Sequence, residues 1–266
     1  MKLRNPSAIR RLFSLVFLIF CSVAPGHGQL VYQTDFNGSA GAFPGESDDN
    51  WTAVGSTSPM FTLSGDGKLQ MKSPSASAYA SAYWTGSAGA VLNGEVSDGT
   101  VTAVFQNVVN ANNSMGVLAR VQSPFDSAHP QGYFAGLLRG TDSKTYLVIA
   151  KDINFSTITN SIIATSSSLA LTSGNYYKLV FDFNGDSLTA SLFSTATDTQ
   201  ISAITAVDSS YSIGLTGLRT NFGVATTVGY ESFRVEGIPE SSEVALLSVG
   251  AVVLIAATCR NRKRLV

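Results

Sequence analysis

Apolar and polar residues alternate with a period of two through most of residues 29–237, and no stretch there repeats at the helical period. Tyr177, Leu179, Phe181 and Phe183 alternate with Lys178, Val180 and Asp182; further on, Leu188, Ala190 and Leu192 alternate with Thr189, Ser191 and Phe193. Such alternation gives each face of a strand its own chemistry, so both runs predict half-buried strands. Between them stands Asn184-Gly185-Asp186. An Asn-Gly step accepts the positive φ of a tight turn, and strand, turn and strand together predict a hairpin. Further strands are predicted at 30–36, 68–72, 100–107, 115–122, 132–139, 144–151, 157–164, 200–206, 214–219 and 228–235. Many short strands separated by Gly, Asn, Asp and Ser predict an antiparallel sandwich rather than a parallel sheet.

Two segments break the pattern. Residues 1–28 carry Lys2, Arg4, Arg10 and Arg11, then an apolar stretch from Leu12 to Val23. Charge, apolar stretch and small residues in that order predict a secretory signal helix, with cleavage after Ala24 or, preferably, Gly28. An uncleaved anchor is the alternative. Residues 238–266 hold Ile238-Pro239-Glu240-Ser241-Ser242, a sixteen-residue apolar run at 244–259, and a basic tail of Arg260, Arg262, Lys263 and Arg264. A helix of that length rises about 24 Å, short of the roughly 30 Å hydrocarbon core but within what local thinning and snorkelling cover. A buried core helix is the competing explanation for a run this short. The basic tail favours a single membrane crossing with the C-terminus on the cytoplasmic side.

The three-part layout of 238–266 resembles the PEP-CTERM sorting signal: a Pro-Glu element (Pro239, Glu240), a short transmembrane helix and an arginine-rich end. It departs from that pattern at Ser241, where a second proline is expected. The resemblance implies an exosortase-like membrane protease as partner and residence in the inner membrane during sorting. It further implies export, first anchored by the C-terminal helix and then at the cell surface or outside the cell.

Charge and cysteine content sharpen the description of residues 29–237. Both cysteines, Cys21 and Cys259, lie outside that segment, so it has neither disulfide nor thiolate chemistry. It carries nine Lys and Arg against sixteen Asp and Glu, a balance of −7 concealed by the basic ends. A domain of that sign lacks the electrostatic footprint of a nucleic-acid binder.

The order of elements also resembles the concanavalin A-like, laminin-G-type jelly roll. The likeness is carried by Asp35-Phe36-Asn37 after the first strand, Met115–Arg120, Gly132–Leu137, the Tyr176–Phe193 hairpin and the closing Tyr230–Val235. The expectation is an all-β, two-sheet antiparallel jelly-roll sandwich, flanked by the signal helix and the transmembrane helix. The resemblance spans lectins, glycan hydrolases and lyases, and passive adhesion modules, and fold alone does not choose among them.

Candidate chemistry narrows that choice. Retaining glycosidases of the superfamily alternate carboxylates along one strand, so that acid and nucleophile share a face. Here the nearest glutamates, Glu231 and Glu236, are five apart and fall on opposite faces of a regular strand. No Gly-x-Ser-x-Gly elbow is present. Arg120, His129 and Tyr133 form the candidate ligand site, Arg120 as bidentate donor to a uronate or sulfate and Tyr133 as a stacking surface. The competing readings are an Arg120–Asp pair, a packed Tyr133 and a solvated loop His129. Trp51 and Trp84 are expected to seal the sandwich, with a sugar platform as the alternative. No cofactor is required. Calcium enters through the resemblance, with Asp35, Asp48, Asp49 and Glu231 as its candidate ligands; turn chemistry is the simpler explanation for each. These observations favour an exported, non-catalytic carbohydrate-binding or structural module with polysaccharide as partner. The alternative is a polysaccharide-degrading lyase or hydrolase, the lyase drawing on Arg120, His129 and Tyr133.

Overall fold

The computed structural model describes residues 29–43, 51–55, 61–73, 78–86, 94–107, 113–122, 130–152, 161–222 and 226–238. They form seventeen strands in two sheets. Edge to edge, the nine-stranded sheet runs β15 (Gln200–Val207), β14 (Ser187–Ser194), β13 (Tyr176–Asn184), β8 (Gly99–Gln106), β17 (Thr226–Gly237), β5 (Leu69–Ser73), β4 (Phe61–Leu63) and β2 (Gly41–Ala42). Its ninth strand, β1 (Gln29–Thr34), pairs with β17. The eight-stranded sheet runs β12 (Ile162–Thr165), β11 (Thr145–Lys151), β10 (Tyr133–Arg139), β9 (Ser114–Val121), β16 (Gly214–Phe222), β6 (Ala78–Trp84) and β3 (Trp51–Gly55). There β7 (Glu95–Val96) pairs with β16. The expected all-β, two-sheet antiparallel architecture is what the described residues adopt, and Leu30–Gly237 forms one compact unit.

The core lies between the sheets and draws on both. Val101, Phe105, Leu179 and Phe181 come from the nine-stranded sheet; Val117, Ala135, Leu147 and Ile149 come from the other. Each large apolar side chain removed from water contributes about 1.5–3 kcal/mol. Trp51 and Trp84 belong to this core, each 4 % exposed, in an aromatic cluster with Tyr32, Phe43 and Phe233. The Trp51 indole N–H donates to Tyr32 Oη at 2.9 Å. Both tryptophans therefore seal the sandwich, and neither is a free platform.

Most strand expectations hold within a residue or two. Five strands had no counterpart in the sequence pattern: β2, β3, β4, β6 and β7. Four of them have five residues or fewer, and β6 (AYASAYW) is a mixture of small and aromatic residues without polar–apolar alternation. The central hairpin is confirmed with one change. Asn184 pairs with Ser187, so the two loop residues are Gly185 and Asp186, and Gly185 at φ +53° supplies the positive φ at the first position.

Among the described residues, no helix is long and apolar enough to cross a membrane. The predicted signal segment 1–28, the run 244–259 and the Pro239-Glu240 element lie outside them, as do His129, Asp48 and Asp49.

Candidate functional site

Arg120 sits where β9 departs from regular geometry. Leu215 of β16 pairs with Val121 and Gly217 pairs with Leu118, so Ala119 and Arg120 together oppose one residue. This bulge gives Arg120 a φ of +52°, and the Cβ that Gly214 lacks would lie 2.5 Å from the Arg120 carbonyl carbon. The parity of a regular strand would have put Arg120 on the outer face with Leu118; the bulge turns it inward, to 1 % exposure. Its Nε donates to Ser97 O at 2.7 Å, and Nη1 donates to Gly185 O and Tyr211 O, each at 2.8 Å. Nη2 meets Asp98 Oδ1 at 2.9 Å, and that same oxygen accepts the Gly185 N–H. The guanidinium also lies over the Phe183 ring, 5.4 Å from its centroid. This corrects the expectation that Arg120 binds ligand. Its donors are spent on the loops that close one end of the sandwich, and it ties one sheet to the other.

Tyr133 is corrected for a related reason. It faces inward from β10, fully buried, and its hydroxyl donates to Asp208 Oδ1 at 2.7 Å while accepting the Tyr211 N–H at 3.2 Å. Burial and the bond to Asp208 push its phenol up to about 12. A buried phenol that stays protonated and pinned offers neither a stacking face nor a proton shuttle.

Around Tyr133 the structure gathers a polar network that the sequence did not announce. Lys151 Nζ reaches Asp208 Oδ2 at 2.9 Å and Ser210 Oγ at 3.0 Å, and the Tyr211 hydroxyl donates to Asp152. Burial works against the Asp208 charge, but the bonds from Lys151, Ser210 and Tyr133 outweigh it and hold the carboxyl well below the usual carboxylate range. The bond to Asp208 raises Lys151. The Lys151–Ser210 contact is therefore made by a charged ammonium, which cannot serve a serine as base. The signal available in sequence was local: in Asp208-Ser209-Ser210 the carboxylate accepts the N–H two residues on, as an Asx turn does.

Of the carboxylates considered for calcium, Asp35 and Glu231 lie among the described residues. Asp35 accepts from the Asn37 amide, and the charge of Lys68 is favoured chiefly by Tyr176, with Asp66 and then Glu231 adding less. Among the described residues, no three His, Cys, Asp or Glu side chains gather.

The outer face of the eight-stranded sheet has a different character. Met115, Val117 and Ala119 of β9 point into the core, so Ser114, Gly116 and Leu118 point away from it. Register carries the same face across the sheet. Gly116 lies opposite Gly136 and Arg219; Leu118 lies opposite Phe134 and Gly217; and Tyr83 lies opposite Gly217. The result is two adjacent rows, Phe134–Leu118–Gly217–Tyr83 and Gly136–Gly116–Arg219–Ser81, whose three glycines form a low floor beside the two aromatic rings. Within the second row the buried Arg219 donates from Nη1 to Ser81 Oγ at 3.0 Å. Tyr83, Leu118, Phe134 and Val148 are buried in a second apolar cluster on this side. The Ser114 hydroxyl is buried there without a hydrogen-bond partner, an uncommon state for a buried polar atom. Strands β6, β9, β10, β11 and β16 contain no Asp or Glu, so they bring no carboxylate pair to this face.

No family model matches the chain, and no curated protein matches it in sequence. Solved structures do. The exoplasmic/lumenal domain of VIP36, in its calcium-bound form, aligns at TM-score 0.56 and 11 % identity over 79 % of this chain and 93 % of that one. The CBM2 module of the evolved Dit protein of Lactobacillus casei BL23 phage J-1 aligns at TM-score 0.52 and 13 % identity over 79 % and 96 %. SCLam, a non-specific endo-β-1,3(4)-glucanase of family GH16, aligns at TM-score 0.51 and 11 % identity over 81 % and 95 %. At such identities the likeness is one of fold, an all-β jelly roll of two antiparallel sheets.

Proposed function

We propose that this chain is an exported, non-catalytic carbohydrate-binding module that meets polysaccharide on the outer face of its eight-stranded sheet. The observation that carries this reading is the composition of that face: three glycines beside Tyr83 and Phe134, with Arg219, Ser81 and the unpartnered Ser114 hydroxyl near them. Aromatic bodies and a few convergent polar groups suit a sugar, whose rings are apolar on their faces and hydroxylated at their edges. A CBM2 module and a GH16 glucanase among proteins of the same fold support a glycan as ligand. The strands of this face carry no acid and nucleophile pair, and the Arg120 and Tyr133 of a lyase are held inside the sandwich, so binding is favoured over cleavage.

Tyr83 and Phe134 are both buried. A glycan array probed with residues 29–237 tests the reading. Binding to at least one uronate, sulfated or neutral glucan, lost in Ser114→Val with folding unchanged, is the expected result; silence across all three classes overturns it. Sorting by an exosortase-like protease is part of the same proposal, supported by the layout of residues 238–266. The native protein's intact mass is expected to end near Pro239–Ser242. A species outside the inner membrane that still carries Arg260–Val266 overturns the sorting reading.

A further inference from the structure

Among the described residues, the main strand orders of the two sheets end at β2, β12, β3 and β15, and three of these terminal strands are short. β2 has two residues, β12 has four and β3 has five, whereas β15 has eight. Short edge strands are one way proteins keep sheets from joining; lysines, prolines and bulges are the others. β15 reads QISAITAV, without a charge or a proline along its length. Its single irregularity, where Leu192 and Phe193 meet Ser202 and Gln200, lies near its start and leaves Ser202–Val207 regular.

The strand is also open. Ile201, Ala203, Thr205 and Val207 are exposed, Val207 by 82 %, while Ile204 and Ala206 lean on the core. Asp208 N–H donates to Asp186 O across the β14 side. Backbone groups alternate in direction along an antiparallel ladder, so those of Ala203, Thr205 and Val207 turn away from β14. Among the described residues, no strand pairs with them.

We infer that β15 is a pairing edge and that its partner is the β15 of a second copy of this chain, joined antiparallel about a twofold axis at Ile204. In that register Ala203 faces Thr205 within the regular stretch Ser202–Val207, and the exposed Val207 of each copy meets the start of the other's strand, near Ile201. Asp198 then falls beyond the paired region and Asp208 lies opposite Gln200, so no like charges oppose. Two domains that each carry −7 repel through most of their surfaces. An uncharged strand is where they come together at least cost, and the twofold makes the contact self-complementary. The nine-stranded sheet thereby continues across the pair.

Residues 29–237 contain the whole core of this unit and no cysteine, so that piece serves for the test. Sedimentation velocity at rising concentration is expected to show a monomer–dimer equilibrium. Thr205→Lys, a solvent-facing change that places two cations together at the axis, is expected to weaken the dimer at least tenfold while leaving the melting temperature within a degree or two. A cross-linking arm reads the register without relying on that variant. Ala203→Cys mixed with Thr205→Cys is expected to yield the mixed disulfide dimer in preference to either homodimer. A wild type that stays monomeric up to its solubility limit overturns the inference, and so does a dimer that Thr205→Lys leaves intact. Homodimeric cross-links in place of the mixed one overturn the register.

Discussion

The two sheets of this sandwich expose opposite kinds of outer face. In the nine-stranded sheet burial alternates along β8 and β13, residue by residue, so that Thr100, Thr102, Lys178 and Asp182 turn toward solvent. In the eight-stranded sheet β9 is buried along its entire length and β10 up to its last residue. One sheet has a wet side; the central strands of the other are buried on both. A strand buried on both faces has no polar side to sacrifice, and a change on either face disturbs packing. The outer face of the eight-stranded sheet is therefore where binding is proposed and where the molecule tolerates least.

The largest expected effect tests that difference directly. A Cβ on Gly116 would fall 2.1 Å from Ala135 O and 2.6 Å from Gly136 Cα, both backbone atoms that cannot swing aside. Gly116→Ala is expected to destabilise the fold by about 3 kcal/mol as the β9–β10 pairing is forced apart. Thr102→Ala, on the wet side of the nine-stranded sheet, should cost no more than about 0.5 kcal/mol. Urea unfolding of both variants measures the gap; equal midpoints would abolish the distinction between the faces.

That distinction also explains what was legible in the sequence. The β13–β14 hairpin stood out because one face is wet, so its amphipathic alternation survives as Lys178, Asp182 and Thr189. In β9, β10 and β11 the apolar residues run continuously, as MGVLA, YFAGLL and YLVIA. Such runs announce strands but not which side faces the core. The positive φ of Arg120 was not legible at all: it depends on a register slip against β16, about a hundred residues downstream. The Lys151–Asp208 pair was hidden because its partners are 57 positions apart and meet only when β11 and the segment after β15 close over the same end. The glycine floor was hidden likewise, since Gly116, Gly136 and Gly217 are scattered in sequence and adjacent only across the sheet.

The next effect concerns the end of the sandwich, where the loop after β15 grips β10 and β11. The Asp208 carboxyl is held below its ordinary value in the folded protein. A group shifted in that sense stabilises the fold above its unfolded value, about 3.9, and the contribution fades as the pH falls below about 4. Tyr133 acts at the opposite limb. Raised to about 12, its protonated form is favoured in the fold, so stability falls as the pH climbs from about 10 through that value. Asp208→Asn is expected to lower stability at neutral pH by about 1–2 kcal/mol, through loss of the charge-assisted bond to Lys151. It should also flatten the acid limb of a melting-temperature profile. An acid limb as steep in the variant as in the wild type would show that Asp208 is not what the acid titrates.

The smallest effect belongs to the wet face and sharpens the contrast from that side. Lys178 pairs with Asp198 on the outer surface of the nine-stranded sheet and lies over the Phe193 ring, 4.9 Å from its centroid. Asp198 is 77 % exposed and Lys178 32 %, so water and salt screen the pair, and holding two long side chains together costs entropy. An exposed pair of this kind contributes about 0.2–1 kcal/mol, and the aliphatic part of a glutamine preserves some of the contact with Phe193. Lys178→Gln is therefore expected to shift the unfolding free energy by no more than about 0.5 kcal/mol, with the shift shrinking further in 1 M salt. Chemical denaturation at low and high salt resolves it. A loss of several kcal/mol, unchanged by salt, would mean that this face too is part of the packed interior, and the contrast between the two sheets would fail.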